Sequence, residues 1–422
     1  MAAPAMKIAF LVNHFPALSQ TFIAHLAEGL VALGCAVDIY AMHGPGDPEM
    51  AIAPKIGLRQ FVLRGRPRQR ALLAGPAMSR LIARHGAKAA RALSANIFGV
   101  DAAALVSLHE ADMFGVGRYD IVHCQFGPLA DIALNHRRAG FLSGRVIVHF
   151  RGYDISSHVE QHGGDVYARA FAEADAFFTN CEFFRKKLIS LGAPGERTTV
   201  LPSPIPVESF PYRARSYRPG ETLRLVCVGR LVEKKGFAYA ISALARLADS
   251  GLDVECDVVG DGPLRAQLEA QTSALGLEAR VRFAGALPQH AVAAAIERAH
   301  IMLAPSVTAS DGDQDASINT LKEAMASGCP FVATAHGGIP ELAERAGGGV
   351  IVPERDDAAL AAGVIALIEN SADWPGATLQ ARTYIEKNFS VRAACECTIA
   401  AYECVLHGRT LADRIPSEPV HA

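Results

Sequence analysis

The sequence predicts an α/β protein built from two doubly wound domains. Short apolar runs alternate with amphipathic stretches, which is typical of βα units and of parallel sheets. A proline-rich segment, residues 202–220, interrupts this alternation near the middle of the chain, and the pattern then restarts. The chain has 422 residues, which is too many for one ordinary core and enough for two.

In the first half, the short apolar runs predict strands of a parallel sheet. An amphipathic helix is predicted between the first two strands, over residues 20–33, and it ends at Gly34. We assign residues 1–205 to this first domain. Its predicted strands are Lys7–Val12, Ala36–Tyr40, Asp120–Cys124, Arg145–Phe150 and Ala176–Thr179.

The second half, residues 206–390, repeats the alternation. Its predicted strands are Leu223–Val228, Val254–Val259, Val281–Ala284, Ile301–Ala304 and Pro330–Thr334. Its predicted helices are residues 236–249, 263–275, 288–299 and 317–327. Ligands of doubly wound sheets bind at the carboxyl ends of the strands, so two such domains predict a binding cleft between them.

The composition is that of an ordinary globular protein. Half of the residues are hydrophobic, one fifth are charged, and the formal net charge is −2, so no strong field attracts nucleic acid. No apolar run reaches the ~20 residues that span a bilayer, and the amino terminus lacks a signal-peptide pattern. The nine cysteines are scattered. We therefore expect a cytoplasmic protein with reduced thiols that does not bind nucleic acid.

One segment departs from this balance. No acidic residue occurs between Glu49 and Asp101, whereas basic residues are frequent from Lys55 to Arg91. Residues 71–93 are also compatible with a basic amphipathic helix. The segment could attach the protein peripherally to an anionic membrane surface, or it could be a solvated helix face on which arginines cover apolar surface.

The stretch VGRLVEKKG, residues 228–236, places two cations after a predicted strand. Arg230 and Lys235 would lie at the carboxyl edge of the second sheet. Two such cations suit a diphosphate whose negative charge grows as a leaving group departs. A charged surface turn is the alternative interpretation.

The stretch SDGDQDASINTLKEAMASG, residues 310–328, has aspartates at alternate positions. An EF-hand loop needs glycine at its sixth position and glutamate at its twelfth. Counted from Asp311, these positions hold Ala316 and Lys322, which excludes this type of calcium loop. An Asp-x-Asp metal pair remains open. If the following helix start instead binds a phosphate, Asp311 and Asp313 are a solvated rim.

The same stretch also predicts the start of a helix that could bind a phosphate. Ser317 is a plausible N-cap, and the free amides of Ile318, Asn319 and Thr320 would then face the ligand. Glu323, inside the helix, can reach a ribose diol with both carboxylate oxygens. Asp315, in the preceding loop, can reach hydroxyls of a sugar beyond the phosphates.

The first domain contributes a loop and three histidines to the predicted cleft. The loop NHFPALSQTF, residues 13–22, lacks the glycine spacing of a dinucleotide fingerprint, which argues against an oxidoreductase. A single histidine at such a position is more often a buried residue whose hydrogen bonds are satisfied by its neighbours. Three histidines at the ends of predicted strands favour a functional site instead. The candidate residues on this side are His14, Ser19, Gln20, His123, His149, Arg151 and Asp154.

In their order and spacing, these stretches resemble the retaining GT-B glycosyltransferases of family 4, and within it bacterial transferases of the colanic-acid and exopolysaccharide type. The resemblance covers nearly the whole chain. It implies two Rossmann-like domains that face a cleft, and a last helix, within residues 391–422, that crosses back to the first domain. The matching stretches include FPALSQTF, VHCQFG, HFRGYDIS, VGRLVEKKG, VGDGPLR and the region from APSVTASDG to GGIPEL.

The resemblance also implies roles for individual residues. Arg230 and Lys235 match the pair that binds the donor diphosphate. Asp315 and Glu323 match the two ends of the E-x7-E motif, of which the first contacts the donor sugar and the second holds the ribose. His149 is favoured over His123 as the histidine nearest the sugar and the acceptor.

The chain departs from the family pattern at three points. Aspartate occupies position 315 and glutamine position 20, where the family usually has glutamate. The segment ASINT also replaces the usual glycine- and proline-bearing start of the motif helix. These changes are compatible with a different donor sugar or with weaker activity.

From the resemblance we expect a retaining glycosyltransferase. It would transfer a sugar from a UDP- or GDP-linked donor to a hydroxyl of a glycan or lipid-linked acceptor, without a metal or another cofactor. Two alternatives remain open: a non-catalytic sugar-nucleotide-binding scaffold, and a nucleotide-sugar epimerase on the same fold. The epimerase would need acid and base carboxylates on both sides of the cleft.

Overall fold

Parallel strands form one sheet in each half of the chain, as the alternating pattern predicts. The computed structural model describes residues 5–17, 20–44, 46, 53–63, 66–115, 117–316 and 318–411. Within these ranges, no helix combines the length and the apolar character that crossing a membrane requires.

The first sheet has its reversal of strand order between β1 and β4. The strands are β1 (Lys7–Val12), β2 (Ala36–Ala41), β3 (Gly57–Gln60), β4 (Arg118–Cys124), β5 (Ser143–Phe150), β6 (Ala176–Thr179) and β7 (Thr198–Val200). They are parallel, in the order β3-β2-β1-β4-β5-β6-β7. Such a reversal opens a crevice at the carboxyl ends of the strands, where ligands of doubly wound sheets bind.

Helices connect these strands and cover the sheet. They are α1 (Thr21–Ala32), α2 (Pro67–His85), α3 (Ala95–Phe98), α4 (Val100–Ala103), α5 (Val106–Phe114), α6 (Ala130–Ala139), α7 (Ser157–His162), α8 (Ala168–Glu173) and α9 (Glu182–Ser190). The helix that was expected over residues 71–93 instead begins at Pro67 and ends at His85. Gly86, at a φ of 57°, ends it, and residues 86–93 continue as 3-10 turns.

The second sheet repeats the arrangement around β8 and β11. The strands are β8 (Leu223–Val228), β9 (Val254–Val259), β10 (Val281–Gly285), β11 (Ile301–Ala304), β12 (Phe331–Thr334) and β13 (Gly349–Val352), in the order β10-β9-β8-β11-β12-β13. The helices are α10 (Phe237–Asp249), α11 (Arg265–Ala274), α12 (Gln289–Arg298), α13 (Asn319–Ser327), α14 (Ile339–Ala346), α15 (Asp357–Glu369), α16 (Trp374–Phe389) and α17 (Val391–Leu406).

Both faces of the second sheet are buried. Along β8, Leu225 and Cys227 pack into a cluster with α10, α11 and α15, whereas Val226 packs on the other face with α12, α13, α14 and α16. Strands buried on both faces are expected to be continuous apolar runs, which is why β8 and β11 could be predicted from the sequence. The edge strands β3, β7 and β13 lie outside the predicted runs.

The chain crosses between the domains twice, at neighbouring places. The N–H of Ile205 donates to the carbonyl of Phe389 at 2.9 Å, and Ile205 pairs with Ser390 in an isolated parallel bridge. After the second crossing, α17 packs on the first domain. Its Cys395 thiol contacts the carbonyl of Leu26 on α1 at 3.5 Å. The two crossings therefore lie side by side.

Candidate active site

The loop between β11 and α13, residues 305–318, touches both domains. Ser156, from the first domain, places its hydroxyl 3.2 Å from Oδ1 of Asp313 and accepts a hydrogen bond from the N–H of Gln314 at 3.2 Å. Lys187 on α9 donates to the side chain of Gln314 at 2.8 Å. The loop that precedes the predicted donor helix thus joins the two domains by hydrogen bonds.

A compact ion-pair cluster holds Asp315 on the second domain. Nζ of Lys235 lies 2.7 Å from its Oδ2, and Nζ of Lys234 lies 3.5 Å from its Oδ1. The hydroxyl of Ser306 also donates to Oδ2, at 3.1 Å. Burial works to raise the pKa of Asp315, but Lys235 and Lys234 outweigh it and hold the pKa below its usual range. Asp315 is therefore ionised at neutral pH.

The backbone of Asp315 is held by a second relay. Its N–H donates to Nε2 of His336 at 2.9 Å, so Nε2 is the acceptor. The proton of the neutral imidazole then lies on Nδ1, which donates to Oε1 of Glu354 at 2.6 Å. Oε2 of Glu354 accepts from the N–H of Thr308 at 2.9 Å, which ties the relay back to the same loop.

Two glycines allow the close backbone approaches that shape this edge. Gly236 has a φ of 64°, and a Cβ there would lie 1.8 Å from the carbonyl oxygen of Pro305. Gly337 has a φ of 53°, and its Cβ would lie 1.9 Å from the carbonyl oxygen of Asp315. Any side chain at either position would push the loop away from Lys235 and His336.

Arg230 differs from its neighbours because it is exposed. Its side chain makes no hydrogen bond or ion pair within the described residues, although it lies close enough to Lys235 to help lower the pKa of that lysine. Burial is the main cause of the lowered pKa of Lys235, and Asp315 opposes it. An unpaired guanidinium beside a partly buried lysine is free to bind an anionic ligand.

The predicted donor helix is α13, which begins four residues after Asp315. Asn319 is its first residue and Ile318 its N-cap, whereas the proposed N-cap Ser317 lies outside the described residues. The hydroxyl of Thr320 donates to the carbonyl of Val228, at the end of β8. The first amides of α13 therefore lie at the carboxyl edge of the sheet, in the position predicted for a phosphate site.

Glu323 lies within α13 and is nearly buried, with 9% of its surface exposed. Burial raises the pKa of Glu323 to about 7, although the neighbouring Lys322 acts in the opposite direction. Lys322 is fully buried, and its Nζ lies near the carbonyl of Ser203, the side chain of Asn319 and the ring of Phe389. Burial lowers the pKa of Lys322 to about 7.

On the first domain, Arg151 is the centre of the site. Its guanidinium donates to Oε1 of Gln125 at 2.5 Å, to Oγ of Ser203 at 3.0 Å and to Nδ1 of His149 at 3.1 Å. Its Cζ lies 4.6 Å from the ring of Phe22. Gln125, Arg151 and Ser203 follow β4, β5 and β7, so the fold brings them to one edge of the sheet.

His149 and His123 form a parallel stack behind Arg151, with ring centroids 5.4 Å apart. His123 is fully buried and its Nδ1 lies 2.6 Å from the hydroxyl of Tyr402 on α17. Burial, reinforced by the charge of Arg151, lowers the pKa of both histidines well below the usual value, so both are neutral. Of the two, His149 is the one that contacts Arg151.

The remaining predicted residues of the first domain differ in their exposure and contacts. His14 is exposed and lies beside His43, with ring centroids 6.0 Å apart. Gln20 is partly buried, and its Oε1 has no partner among the described residues. Ser19 lies outside the described residues.

The structure corrects the expectations for two aspartates. Asp154 is fully buried and does not face the cleft, because its carboxylate accepts from the N–H groups of Gly127, Arg151 and Gly152, each at 2.9 Å. It therefore shapes the loop that carries Arg151. Asp313 is not a solvated rim residue, because its carboxylate pairs with Lys234 at 2.8 Å.

Several residues of the site escaped the sequence analysis. Lys234 was overlooked beside Lys235, although a 3-10 turn at residues 233–235 allows both to reach the same aspartate. Ser306, His336 and Glu354 lie on separate loops, and no local pattern connects them. Gln125 follows β4 directly, so its position after a predicted strand was the available signal.

The two halves of the chain match two known families. The profile of the "Glycosyl transferase 4-like domain" matches residues 19–204, and that of "Glycosyl transferases group 1" matches residues 222–370. The amylovoran biosynthesis glycosyltransferase AmsK of Erwinia amylovora is 32% identical over 92% of this chain and 97% of its own length. The chain belongs to the family 4 glycosyltransferases.

Other comparisons agree with this family 4 glycosyltransferase assignment. The chain is 33% identical to WcaL of Salmonella typhimurium, whose name assigns it to colanic acid biosynthesis, over 85% of this chain and 89% of WcaL. The structure of Anabaena HepE with UDP and glucose superposes with a TM-score of 0.66 at 18% identity, covering 94% of this chain and 99% of HepE. WaaG superposes with a TM-score of 0.62 at 19% identity, covering 95% and 100%. These similarities confirm the GT-B fold.

Proposed function

We propose that this glycosyltransferase moves a sugar from a nucleotide-diphosphate donor to a hydroxyl of a glycan or lipid-linked glycan, with retention of configuration, in the synthesis of an exopolysaccharide. The observation that carries the proposal is the placement of Arg230, Lys235 and the first turn of α13 around one edge of the second sheet. The names of AmsK and WcaL support the exopolysaccharide assignment.

The donor lies with its diphosphate between Arg230, Lys235 and the amides of Ile318, Asn319 and Thr320. Glu323 accepts hydrogen bonds from the ribose diol, and Asp315 faces the sugar. The base is uracil or guanine: HepE binds UDP-glucose, and several relatives of this chain are named as GDP-mannose-dependent mannosyltransferases.

The transfer step needs little chemistry from the protein. The bond between the sugar C1 and the β-phosphate oxygen breaks, the acceptor oxygen bonds to C1 on the same face, and the departing phosphate takes the acceptor proton. Arg230, Lys235 and the helix amides stabilise the negative charge that develops on the phosphate. These groups supply the charge stabilisation that a metal ion provides elsewhere, so we propose that no metal or other cofactor takes part.

Exposed residues of the first domain support our proposal that the protein attaches peripherally to the inner face of the cytoplasmic membrane. On α2 and the turns after it, Leu72, Ile82 and Leu93 are 79%, 55% and 44% exposed, and Arg68 and Lys88 are exposed near them. Arg80 and Arg84 instead pair with Asp112 on α5 and hold the helix in place. A mixed apolar and basic face of this kind suits a surface of anionic lipid.

Transfer from labelled nucleotide sugars tests the proposal. Purified protein, incubated with a panel of UDP- and GDP-sugars and a lipid-linked glycan extract, should release one nucleoside diphosphate and label the glycan. Sedimentation with vesicles of phosphatidylserine and phosphatidylcholine tests the membrane face, and Leu72→Asp with Ile82→Asp should reduce binding. An absence of binding at low salt would overturn the membrane proposal.

A further inference from the structure

Arg151 carries a buried positive charge that no carboxylate of the described residues contacts. It is 7% exposed, and its three side-chain partners, Gln125, Ser203 and His149, are neutral. The nearby Asp154 carboxylate is occupied by three backbone amides. Lys322, from the other domain, donates to the backbone carbonyl of the same Ser203. Asp154 raises the pKa of Arg151 through its charge and so opposes the effect of burial, but its carboxylate does not bond to the guanidinium. A buried charge without a directly bonded counter-charge is costly unless a ligand supplies one.

The unpaired atoms around Arg151 are mainly hydrogen-bond donors. Arginine can only donate, so Nδ1 of His149 accepts its bond, and the proton of the neutral imidazole lies on Nε2. This Nε2–H has no partner among the described residues, nor do Nε–H of Arg151 and the Nε2 amide of Gln125. Three hydrogen-bond donors therefore lack an acceptor, and the side chains that carry them are hydrogen-bonded to one another.

A sugar hydroxyl would use these donors poorly, because it brings a proton of its own and no charge. A carboxylate has only acceptor sites and a single negative charge, which matches one guanidinium. A phosphate monoester would bring ~1.5 to 2 charges into the same buried place. The ring of Phe22, partly exposed and 4.6 Å from Cζ of Arg151, offers an apolar surface for a sugar ring.

We propose that Arg151, His149 and Gln125 bind the carboxylate of a uronic acid, carried either by the sugar that is transferred or by the acceptor glycan. The proposal rests on the glycosyltransferase function proposed above. It names the class of sugar that the first-domain wall of the cleft binds. It also assigns Arg151 a recognition role: it selects acidic over neutral sugars.

Isothermal titration separates the two sources of the carboxylate. In the first arm, UDP-glucuronate is compared with UDP-glucose, and GDP-mannuronate with GDP-mannose. In the second arm, free glucuronate is compared with glucose on protein saturated with UDP or GDP. We expect the acidic ligand to bind at least about tenfold more tightly in one arm, since hydrogen bonds to charged groups are strong. Equal binding of acidic and neutral ligands in both arms overturns the proposal.

Two variants make the test specific. Arg151→Gln should abolish the preference for the acidic ligand. Gln125→Glu should also abolish this preference, because its carboxylate would pair with Arg151 in place of the ligand. It tests the proposal even if Arg151→Gln does not fold. A preference that survives in a folded variant overturns the proposal.

A third variant, Arg230→Ala, distinguishes this proposal from the proposed transferase function. It should weaken the binding of acidic and neutral nucleotide sugars to the same extent and leave the preference for the acidic ligand unchanged. If no nucleotide sugar binds the wild-type protein but free glucuronate still binds more tightly than glucose, the transferase proposal fails and the carboxylate site stands. If nucleotide sugars bind and turn over without any acidic preference, the carboxylate site fails alone.

Discussion

The two walls of the cleft differ in how far their polar groups are satisfied. On the second-domain wall, Asp315, Lys234, Lys235 and His336 form ion pairs and hydrogen bonds with one another or with the loop. On the first-domain wall, the side chains around Arg151 leave several buried polar atoms without partners. The second-domain wall is therefore preorganised, whereas on our proposal a ligand completes the first-domain wall.

This difference has an energetic meaning. An unpaired buried polar group costs about 1 to 3 kcal/mol, so the first-domain wall reduces the stability of the free protein. Such costs are tolerated where they serve binding, because a ligand that pairs these groups recovers the cost. Substitutions on the two walls should therefore affect stability and activity in different proportions.

The largest effect should come from the cations of the donor wall. Arg230→Met and Lys235→Met should each reduce kcat/KM about 10²- to 10³-fold, because each removes a group that stabilises the departing diphosphate. Only Lys235→Met should also lower the free energy of unfolding, by about 3 kcal/mol, since it leaves Asp315 with a weaker pairing.

Steady-state kinetics and urea unfolding measure the two quantities for each variant. Arg230 is exposed and makes no bond within the described residues, so Arg230→Met serves as the matched control with unchanged stability. Equal losses of stability in both variants would contradict the distinction between a paired and a free cation.

A smaller effect should appear in the pH dependence of donor binding. The pKa of Glu323 is about 7, above its ordinary value, so the carboxyl is mostly protonated at pH 6 and mostly ionised at pH 8. An ionised carboxylate accepts two bonds from the ribose diol, so donor affinity should rise about tenfold over this range. For stability the sign is opposite: the contribution of protonated Glu323 is lost as the pH rises through about 7.

Titration calorimetry with the active nucleotide sugar at several pH values checks this expectation. A nucleotide sugar is preferable to UDP, whose terminal phosphate itself titrates near pH ~6. Glu323→Gln should bind more weakly at pH 8 and show little pH dependence. A wild-type affinity that is flat, or that falls with rising pH, would assign the ribose contact elsewhere.

A small change in stability should also occur on the first-domain wall. His149→Phe keeps a ring between His123 and Phe178 and removes a buried Nε2–H that has no partner. The variant also removes Nδ1, which accepts from Arg151 at 3.1 Å, but the same guanidinium nitrogen still donates to Gln125. We expect the loss of this bond and the removal of the unpaired Nε2–H to offset each other, so that the free energy of unfolding stays within about 1 kcal/mol of wild type while transfer falls. A loss of more than about 3 kcal/mol in urea unfolding would show that this wall is satisfied in the free protein.

Much of the fold could be predicted from the sequence, because central strands such as β8 and β11 are buried on both faces and read as apolar runs. The positions of Arg230, Lys235, Asp315 and Glu323 near one sheet edge could also be predicted, since they lie close to strand ends or on one helix, whereas their roles stay predictions. The pairing of Asp315 with Lys234 was not found, nor was the relay through His336 and Glu354. Such contacts join loops that are distant in sequence, and only the folded chain brings them together.

The central claim is that the edge formed by Arg230, Lys235 and α13 binds a nucleotide sugar for transfer. The most direct measurement is the release of nucleoside diphosphate from labelled UDP- and GDP-sugars, with and without a glycan acceptor, by wild type, Arg230→Ala and Glu323→Ala. We predict that wild type turns over the sugars of one base and that both variants lose this turnover. Tight binding of a nucleotide sugar without transfer or hydrolysis with any acceptor would contradict the claim and favour a scaffold.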